Sequence, residues 1–313
     1  MKRSKRAQTK DGYMAKAIYP LRKSIYLAEF LFFRFVAAMA NLIPYSFTIF
    51  LSRQVGILLF HALPKRQKIA IQNLQAAFPE KNSQEIKSIA RDAFINMARV
   101  AVEFVCIPTL AKKGYIQNVH AERVHEALKQ KKGLILIVSH LTNWEVMAAA
   151  TAMAGLPMHA IARPIKNPYV YQYITHMRGY AGLQLVDKLG AIRKTVTLLK
   201  ANQVVSFLID QHERQGAVSV QFFGRQCWAS GLAARVAAKM NVPVIFAYCK
   251  RDEHAKIITF YEPEFSLVKT KNLDRDTQAN TQLFTTAIEK RIREMPGNWL
   301  WMHRRWREMP DKN

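Results

Sequence analysis

The chain has 313 residues, 50% of them hydrophobic, and 47 Lys and Arg against 22 Asp and Glu give it a formal net charge of +25 and a pI near 10.1. That length suits one large domain with an appendage and that apolar content fills a core, while three widely spaced cysteines, Cys106, Cys227 and Cys249, without a C-x-x-C pair, point to a reducing compartment and against a structural zinc site. The charge calls for acidic partners; nucleic acid is disfavoured, because beyond Lys2, Arg3, Lys5, Arg6 and Lys10 the charge is spread along the chain and no zinc-finger or RNA-recognition pattern is present.

The first apolar run, 25–43, has 19 residues, where a spanning helix needs about 20. Arg34 lies at its midpoint and Glu29 one turn earlier; an arginine at the bilayer centre costs about 2.5–3.5 kcal/mol. A second run, 45–63 after Pro44, carries Arg53 and Gln54, and Phe30, Phe32, Phe33, Phe35, Phe47 and Phe50 are spread over the two. Together they read as an interfacial hairpin sunk into one leaflet of an anionic membrane, with core packing of both helices as the alternative. A single span would also put the basic amino terminus outside if the rest of the chain is cytoplasmic, against the positive-inside rule. The chain divides on this reading into 1–63, a basic tail with membrane-associated helices, and 64–313, a helical lead-in plus an α/β domain.

From 64 to about 111 the pattern is helical, broken at Phe78-Pro79-Glu80-Lys81-Asn82, with Ser83 as N-cap of the next helix. After Gly114 it alternates. Strands are predicted at 134–139, 158–162, 183–186, 204–210, 218–222, 243–248 and 256–261, and helices at 144–154, 167–180, 191–200, 230–240 and 277–295. The fold class is α/β: a mixed, mostly parallel sheet covered by helices, with an amino-terminal membrane-anchoring helical segment. Ligands of such sheets bind beyond the carboxyl ends of the strands, where His140, Arg163 and Asp210 fall.

Chemistry concentrates at Ser139-His140-Leu141-Thr142-Asn143-Trp144-Glu145. The preceding residues, 133–139, are continuously apolar and β-branched, a buried parallel strand; Thr142 and Asn143 are both good N-caps. His140 therefore follows the strand and Glu145 falls in the first turn of the helix. In that geometry Glu145 accepts a hydrogen bond from one imidazole nitrogen and leaves the other to take a proton from a substrate hydroxyl. Unpaired N–H groups at the helix start would favour developing negative charge. The alternative is a strand-end histidine beside a favourable first-turn acid. Ser139 is disfavoured as a nucleophile, since it lacks a G-x-S-x-G elbow and points to the opposite face from His140.

His140 and Glu145 match the H-x4-D/E motif of the bacterial lipid A late acyltransferases, and the chain resembles that family over more than 230 residues. Ala162-Arg163-Pro164-Ile165-Lys166-Asn167-Pro168 is similar to its R-P-x-x-N-P block, followed by Arg178. Asp210-Gln211, Phe222-Phe223-Gly224, Val242-Pro243-Val244 and the stretch from Pro296 to Trp306 resemble later blocks, and Asn73-Leu74 and Phe78-Pro79-Glu80 earlier ones. The resemblance implies transfer of a fatty acyl group from acyl carrier protein to a hydroxyl of a Kdo-bearing lipid A precursor. It also implies a place on the cytoplasmic face of the bacterial inner membrane, and no metal or cofactor is expected. His140 would be general base and Glu145 its orienter, with no covalent intermediate. Arg163, held extended before Pro164, would grip a phosphate or pair with an acid. Arg178, Asp210 and Gln211 would shape the substrate site, with Asp210 paired to one of the two arginines. Trp299, Trp301 and Trp306 with Arg304, Arg305 and Arg307 form either a cation–π surface at the membrane or, as we favour, a packed tail. Acylation of another lipid is the enzymatic alternative. A basic binding protein for anionic membranes or nucleic acid is the non-enzymatic one, and it has no use for the His140 motif.

Overall fold

The computed structural model describes the backbone of residues 3–162, 165–187 and 190–307, and side chains within 22–162, 165–186 and 190–307. Helices α1 (Arg3–Leu42), α2 (Tyr45–Ala62), α3 (Pro64–Ala77), α4 (Ser83–Val105) and α5 (Ile107–Lys112) come first. The α/β part then runs β1 (Ile116–Val119), α6 (Glu122–Lys129), β2 (Leu134–Val138), α7 (Trp144–Met153), β3 (Met158–Ala162), α8 (Pro168–Tyr180), β4 (Gln184–Asp187), α9 (Ala191–Lys200) and β5 (Val204–Leu208). It ends with the hairpin β6 (Ala217–Phe222) and β7 (Arg225–Ser230), then α10 (Leu232–Met240), β8 (Val244–Arg251), β9 (Ile257–Tyr261) and α11 (Leu273–Glu294).

Among the described residues the main sheet has the order β1-β9-β8-β2-β5-β3-β4. Strands β8, β2, β5, β3 and β4 are parallel; β9 is antiparallel to β8 and β1 parallel to β9. The mixed, mostly parallel α/β sheet is therefore as expected. β2 lies near its centre and every one of its residues is buried, because helices cover both faces and leave no solvated side to alternate toward. Ile135 and Ile137 face a core closed by α3, α4, α10 and α11, whereas Leu134, Leu136 and Val138 face one closed by α5, α6 and α7.

Several elements escaped the sequence reading. β1 is short and partly exposed, so it shows little apolar period, whereas α6 is the surface helix that the sequence suggests around His125 and buries Val124 and Ala127. β7 alternates only through Cys227 and Ala229, and its turn is Phe223-Gly224 with both residues at positive φ, a hairpin geometry carrying a phenylalanine where glycine or asparagine is usual. The N-cap of α4 is Asn82 rather than Ser83: its side chain accepts from the N–H groups of Gln84 and Glu85 while Glu85 returns a bond to Asn82 N–H, a capping box.

The amino-terminal helix is inside out relative to a soluble helix. Tyr26, Glu29, Phe30, Phe33, Arg34, Ala37 and Asn41 form a stripe at helical spacing turned toward the body of the protein. Asn167 Nδ2 donates to the Tyr26 carbonyl and to Glu29, each at 2.9 Å. Phe30 and Phe33 pack on Tyr169 and Tyr173 of α8, and the Arg34 guanidinium sits 5.0 Å from the centre of the Tyr173 ring. Ile25, Leu31, Phe32, Phe35, Val36, Met39 and Leu42 point outward, with Phe32 70% exposed. The stretch Arg22–Leu42 is long and apolar enough to cross a membrane, yet its two interior charges are engaged by protein. α2 docks on α4 through Tyr45, Thr48, Ser52, Gly56 and Phe60. At Gly56 the helices approach so closely that a Cβ would stand 2.4 Å from the Ile95 Cα.

Candidate active site

Strand register assembles the site. β2 and β5 are parallel neighbours with Val138 opposite Leu208, so His140 and Asp210, each two residues further on, leave the sheet side by side. His140 Nδ1 is 2.7 Å from Asp210 Oδ1, while Asp210 Oδ2 accepts from the His140 backbone N–H at 2.6 Å and from Trp299 Nε1 at 2.8 Å. The carboxylate is 3% exposed. Burial pushes its pKa up, but the His140 imidazole and these hydrogen bonds outweigh it and hold the carboxyl below its ordinary range. An ionised carboxylate only accepts, so Nδ1 carries the proton and Nε2 the lone pair. Gln211 Nε2 stands 3.2 Å from that lone pair, and the Trp144 ring packs on the imidazole at 4.8 Å.

This geometry corrects two expectations. Glu145 does not orient His140: both of its oxygens are held by the Arg178 fork, Nε at 2.9 Å and Nη2 at 2.7 Å, a bidentate pair bracing α7 against α8. Asp210 is paired not with an arginine but with His140, and it stands behind the imidazole rather than in the substrate space. Gln211 does line that space. Arg163 lies outside the described residues.

The turn bearing His140 is held under strain by buried polar contacts. Thr142 has φ +55°, sterically poor for a β-branched residue. Its N–H donates to the Asn298 carbonyl at 2.8 Å, and Asn96 Nδ2 bridges the Thr142 and Asn298 carbonyls. Asn143 caps α7 through Oδ1, which accepts from the Glu145 and Val146 N–H groups, and its Nδ2 donates to Glu103 at 2.6 Å. Glu103 is fully buried and gripped by Arg251 at 2.6 and 2.7 Å, with Tyr45 donating a further bond and Arg251 Nη1 reaching Asn96 at 2.6 Å. A pair so buried is tolerable only because every lone pair finds a donor. One consequence corrects the sequence reading again. Most of the N–H groups expected to face negative charge are occupied: those of residues 140, 142, 143, 145, 146 and 147 are engaged by Asp210, Asn298, Cys249 Sγ, Asn143 Oδ1 (twice) and the Asn143 carbonyl, and those of Leu141 and Trp144 are not among them.

His140 opens onto a groove of about 1200 Å³. Gln211, His212 and His303 stand with it among the polar lining, and Ile161, Ala162, Ile192, Phe207, Leu208 and Leu232 supply apolar walls. The carboxy-terminal segment closes the site from behind: Trp299, Trp301 and Arg305 are 1%, 0% and 1% exposed and Trp306 is half-buried, as in a packed tail, while Arg304 and Arg307 are exposed, and Asn73 pins the segment by donating to the Trp301 and His303 carbonyls, each at 2.9 Å. Nucleophiles for a covalent route are poor. Ser139 is buried, and burial pushes the Cys106 and Cys249 thiols up to about 11 and about 12.

Sequence similarity identifies the family. The profile of the family described as bacterial lipid A biosynthesis acyltransferase matches residues 16–308. The chain is 22% identical over 274 residues to the lipid A biosynthesis palmitoleoyltransferase of Escherichia coli K12, covering 86% of this chain and 87% of that one. It is 23% identical over 276 residues to the lauroyltransferase of the same organism (86% and 88%), and 24% identical over 307 residues to a lipid A biosynthesis acyltransferase of Haemophilus influenzae (95% and 93%). With the match spanning nearly its whole length, the chain belongs to the bacterial lipid A biosynthesis acyltransferases and is an acyltransferase.

Proposed function

We propose that this enzyme moves a fatty acyl group from the thioester of acyl carrier protein to a hydroxyl of a Kdo-bearing lipid A precursor. We place it at the cytoplasmic face of the inner membrane. The observation that carries the reading is the buried Asp210–His140 pair with its basic Nε2 at the mouth of an apolar-walled groove. The acceptor hydroxyl replaces Gln211 as hydrogen-bond partner of Nε2 and gives up its proton there as its oxygen attacks the thioester carbon. Asp210 stabilises the imidazolium that forms, and collapse of the intermediate expels the thiolate, which takes that proton. No protein nucleophile is needed, and binding of the long chains supplies the alignment. Glu145 acts through Arg178, keeping the His140 turn and α8 in register, and Arg163 remains our candidate for contact with a substrate phosphate. The net charge of +25 suits both an acidic carrier and an anionic bilayer, and the outward apolar face of α1 suits the membrane.

The test is incubation of the purified protein with acyl carrier protein thioesters and a Kdo-bearing lipid A precursor, read by mass spectrometry. One added acyl chain, absent with His140→Ala, is the expected result. Acylation of lysophospholipid or glycerol phosphate in its place would assign a different acceptor, and no transfer from any thioester would end the enzymatic reading.

A further inference from the structure

An attacked thioester carbonyl becomes an oxyanion, and the backbone around His140 has little left to meet it. The helix start that would ordinarily serve is largely taken, because Asn143 Oδ1 accepts from the Glu145 and Val146 N–H groups and the Asn143 carbonyl from that of Met147, which leaves the Trp144 N–H. A side chain of the groove is therefore the place to look for a further donor. Gln211 faces His140 Nε2, where the acceptor hydroxyl must go. Arg235 is paired with Asp274 on the surface. His212 is influenced by Arg305, Arg307, Arg214 and Glu213, with neither His140 nor Asp210 among its neighbours in charge. His303 differs on each count: it lines the same groove as His140 and feels the charges of both His140 and Asp210.

We propose that His303 is a further catalytic residue, whose ring N–H donates a hydrogen bond to the oxyanion that forms on the acyl thioester carbonyl. The inference rests on the acyl-transfer reading above. Its tautomer follows from local packing. His303 Nδ1 is enclosed without a partner among the described residues; an enclosed lone pair costs less than an enclosed orphan N–H, so the hydrogen resides on Nε2, the nitrogen left to the groove. Burial, the largest cause, outweighs the attraction of Asp210 and, with the Arg305 and Arg307 charges and that of His140 once it has taken a proton, lowers the His303 pKa to about 4. His303 is thus an uncharged donor at neutral pH. Two histidines in one groove consequently have opposite tasks, His140 receiving a proton and His303 keeping its own.

The electrons balance without transfer of that proton. The acceptor oxygen bonds to the acyl carbon as its proton passes to His140 Nε2, and the carbonyl π pair moves onto oxygen, where the His303 N–H meets it. Return of that pair restores the carbonyl and breaks the carbon–sulfur bond. The thiolate leaves with the bonding pair and is protonated from His140.

His303 is anchored through its backbone carbonyl, which accepts from Asn73, so side-chain substitution leaves the segment pinned. His303→Phe should lower kcat for acyl transfer about 10²- to 10³-fold, the scale of one oxyanion donor, with KM for the acyl donor within about threefold of wild type. His303→Gln, whose amide can donate from nearly the same point, should stay within about tenfold of wild type, and neither variant should alter the acidic limb of the pH–rate profile. A second readout needs no acceptor: isotope-edited infrared spectra of a bound 13C=O lauroyl-pantetheine thioester should show the carbonyl stretch lowered by the wild type and His303→Gln, and unshifted with His303→Phe. An identical band in wild type and His303→Phe, a Phe variant within threefold in kcat, or loss of the acidic limb overturns the role of His303. Absence of thioester binding and turnover in the wild type itself overturns the acyl-transfer reading instead.

Discussion

Asp210→Asn discriminates most sharply between the pairing seen in the structure and the one the motif suggested. The asparagine is nearly isosteric, but only one of its two terminal atoms accepts. Two donors, the His140 backbone N–H and the Trp299 indole N–H, converge on the site of Oδ2, and losing either bond inside the protein costs about 1–3 kcal/mol. The amide oxygen therefore stays there and the NH₂ group turns to His140 Nδ1, which becomes the acceptor. The imidazole proton moves to Nε2 and the base is lost. In Ser-His-Asp hydrolases the same change of tautomer lowers kcat about 10⁴-fold, which corresponds to ~5.4 kcal/mol of barrier. Initial rates of acyl transfer at saturating donor, from pH 6 to 9, measure it, and KM should move little because the carboxylate is buried behind the imidazole. Glu145→Gln is the counterpart. It keeps one of the two hydrogen bonds from Arg178 and should lower kcat by about tenfold or less, a loss of ~1.4 kcal/mol in positioning. Asp210→Asn within tenfold of wild type, or a Glu145→Gln loss exceeding it, would refute the assignment.

Glu103→Gln should cost about 3–5 kcal/mol of stability by leaving Arg251 buried without its counter-charge, measured by urea unfolding in detergent; a loss under 1 kcal/mol would show that the network relaxes. Gly56→Val should destabilise by about 1–3 kcal/mol through overpacking where a Cβ meets the Ile95 backbone, whereas Val55→Ala on the exposed face should stay within about 0.5 kcal/mol; equal shifts in melting temperature would contradict the α2–α4 docking. Stability should also fall with acid in a defined window. His303 is neutral in the folded state down to about pH 4 and titrates near 6.5 when unfolded, so the unfolded chain binds more protons between those values and stability drops as pH falls through them. Asp210, held below its ordinary range, adds a further loss at lower pH, above which its contribution is complete. A His303→Phe protein should show a flatter stability profile from pH 6.5 to 4, and an unchanged slope would count against the neutral imidazole.

The sequence marked His140, Arg163 and Asp210 as strand-end residues but paired His140 with Glu145 and Asp210 with an arginine, and the cause is register. Nothing in the chain says that Val138 faces Leu208, and only that alignment sets His140 beside Asp210. Glu145 was near in sequence, yet the first turn of α7 points its carboxylate toward α8, where Arg178 waits. The sheet itself was legible because its central strands are uninterrupted apolar runs; β1, which is short, and β7, which is solvated at Arg225 and Gln226, were not. His303 stood within a recognised carboxy-terminal block, and its part in the site depends on a fold-back held by Asn73 at the far end of the chain. Asn143 was read as a cap, correctly, but its second task of donating to the buried Glu103 is visible only in the folded chain.

Helix α8 connects regions that a hydropathy profile treats separately. Its first turns hold α1 through Asn167, Tyr169 and Tyr173, and its last turn holds Glu145 through Arg178. Arg34 and Glu29, which count as defects in an apolar segment, are here the fastening points by which that segment is bolted to the catalytic body. The apolar side of α1 consequently faces outward with a fixed rotation and height relative to His140. Lipid contact thus carries orientation as well as attachment: a bilayer meeting that face meets the groove at one angle and one depth.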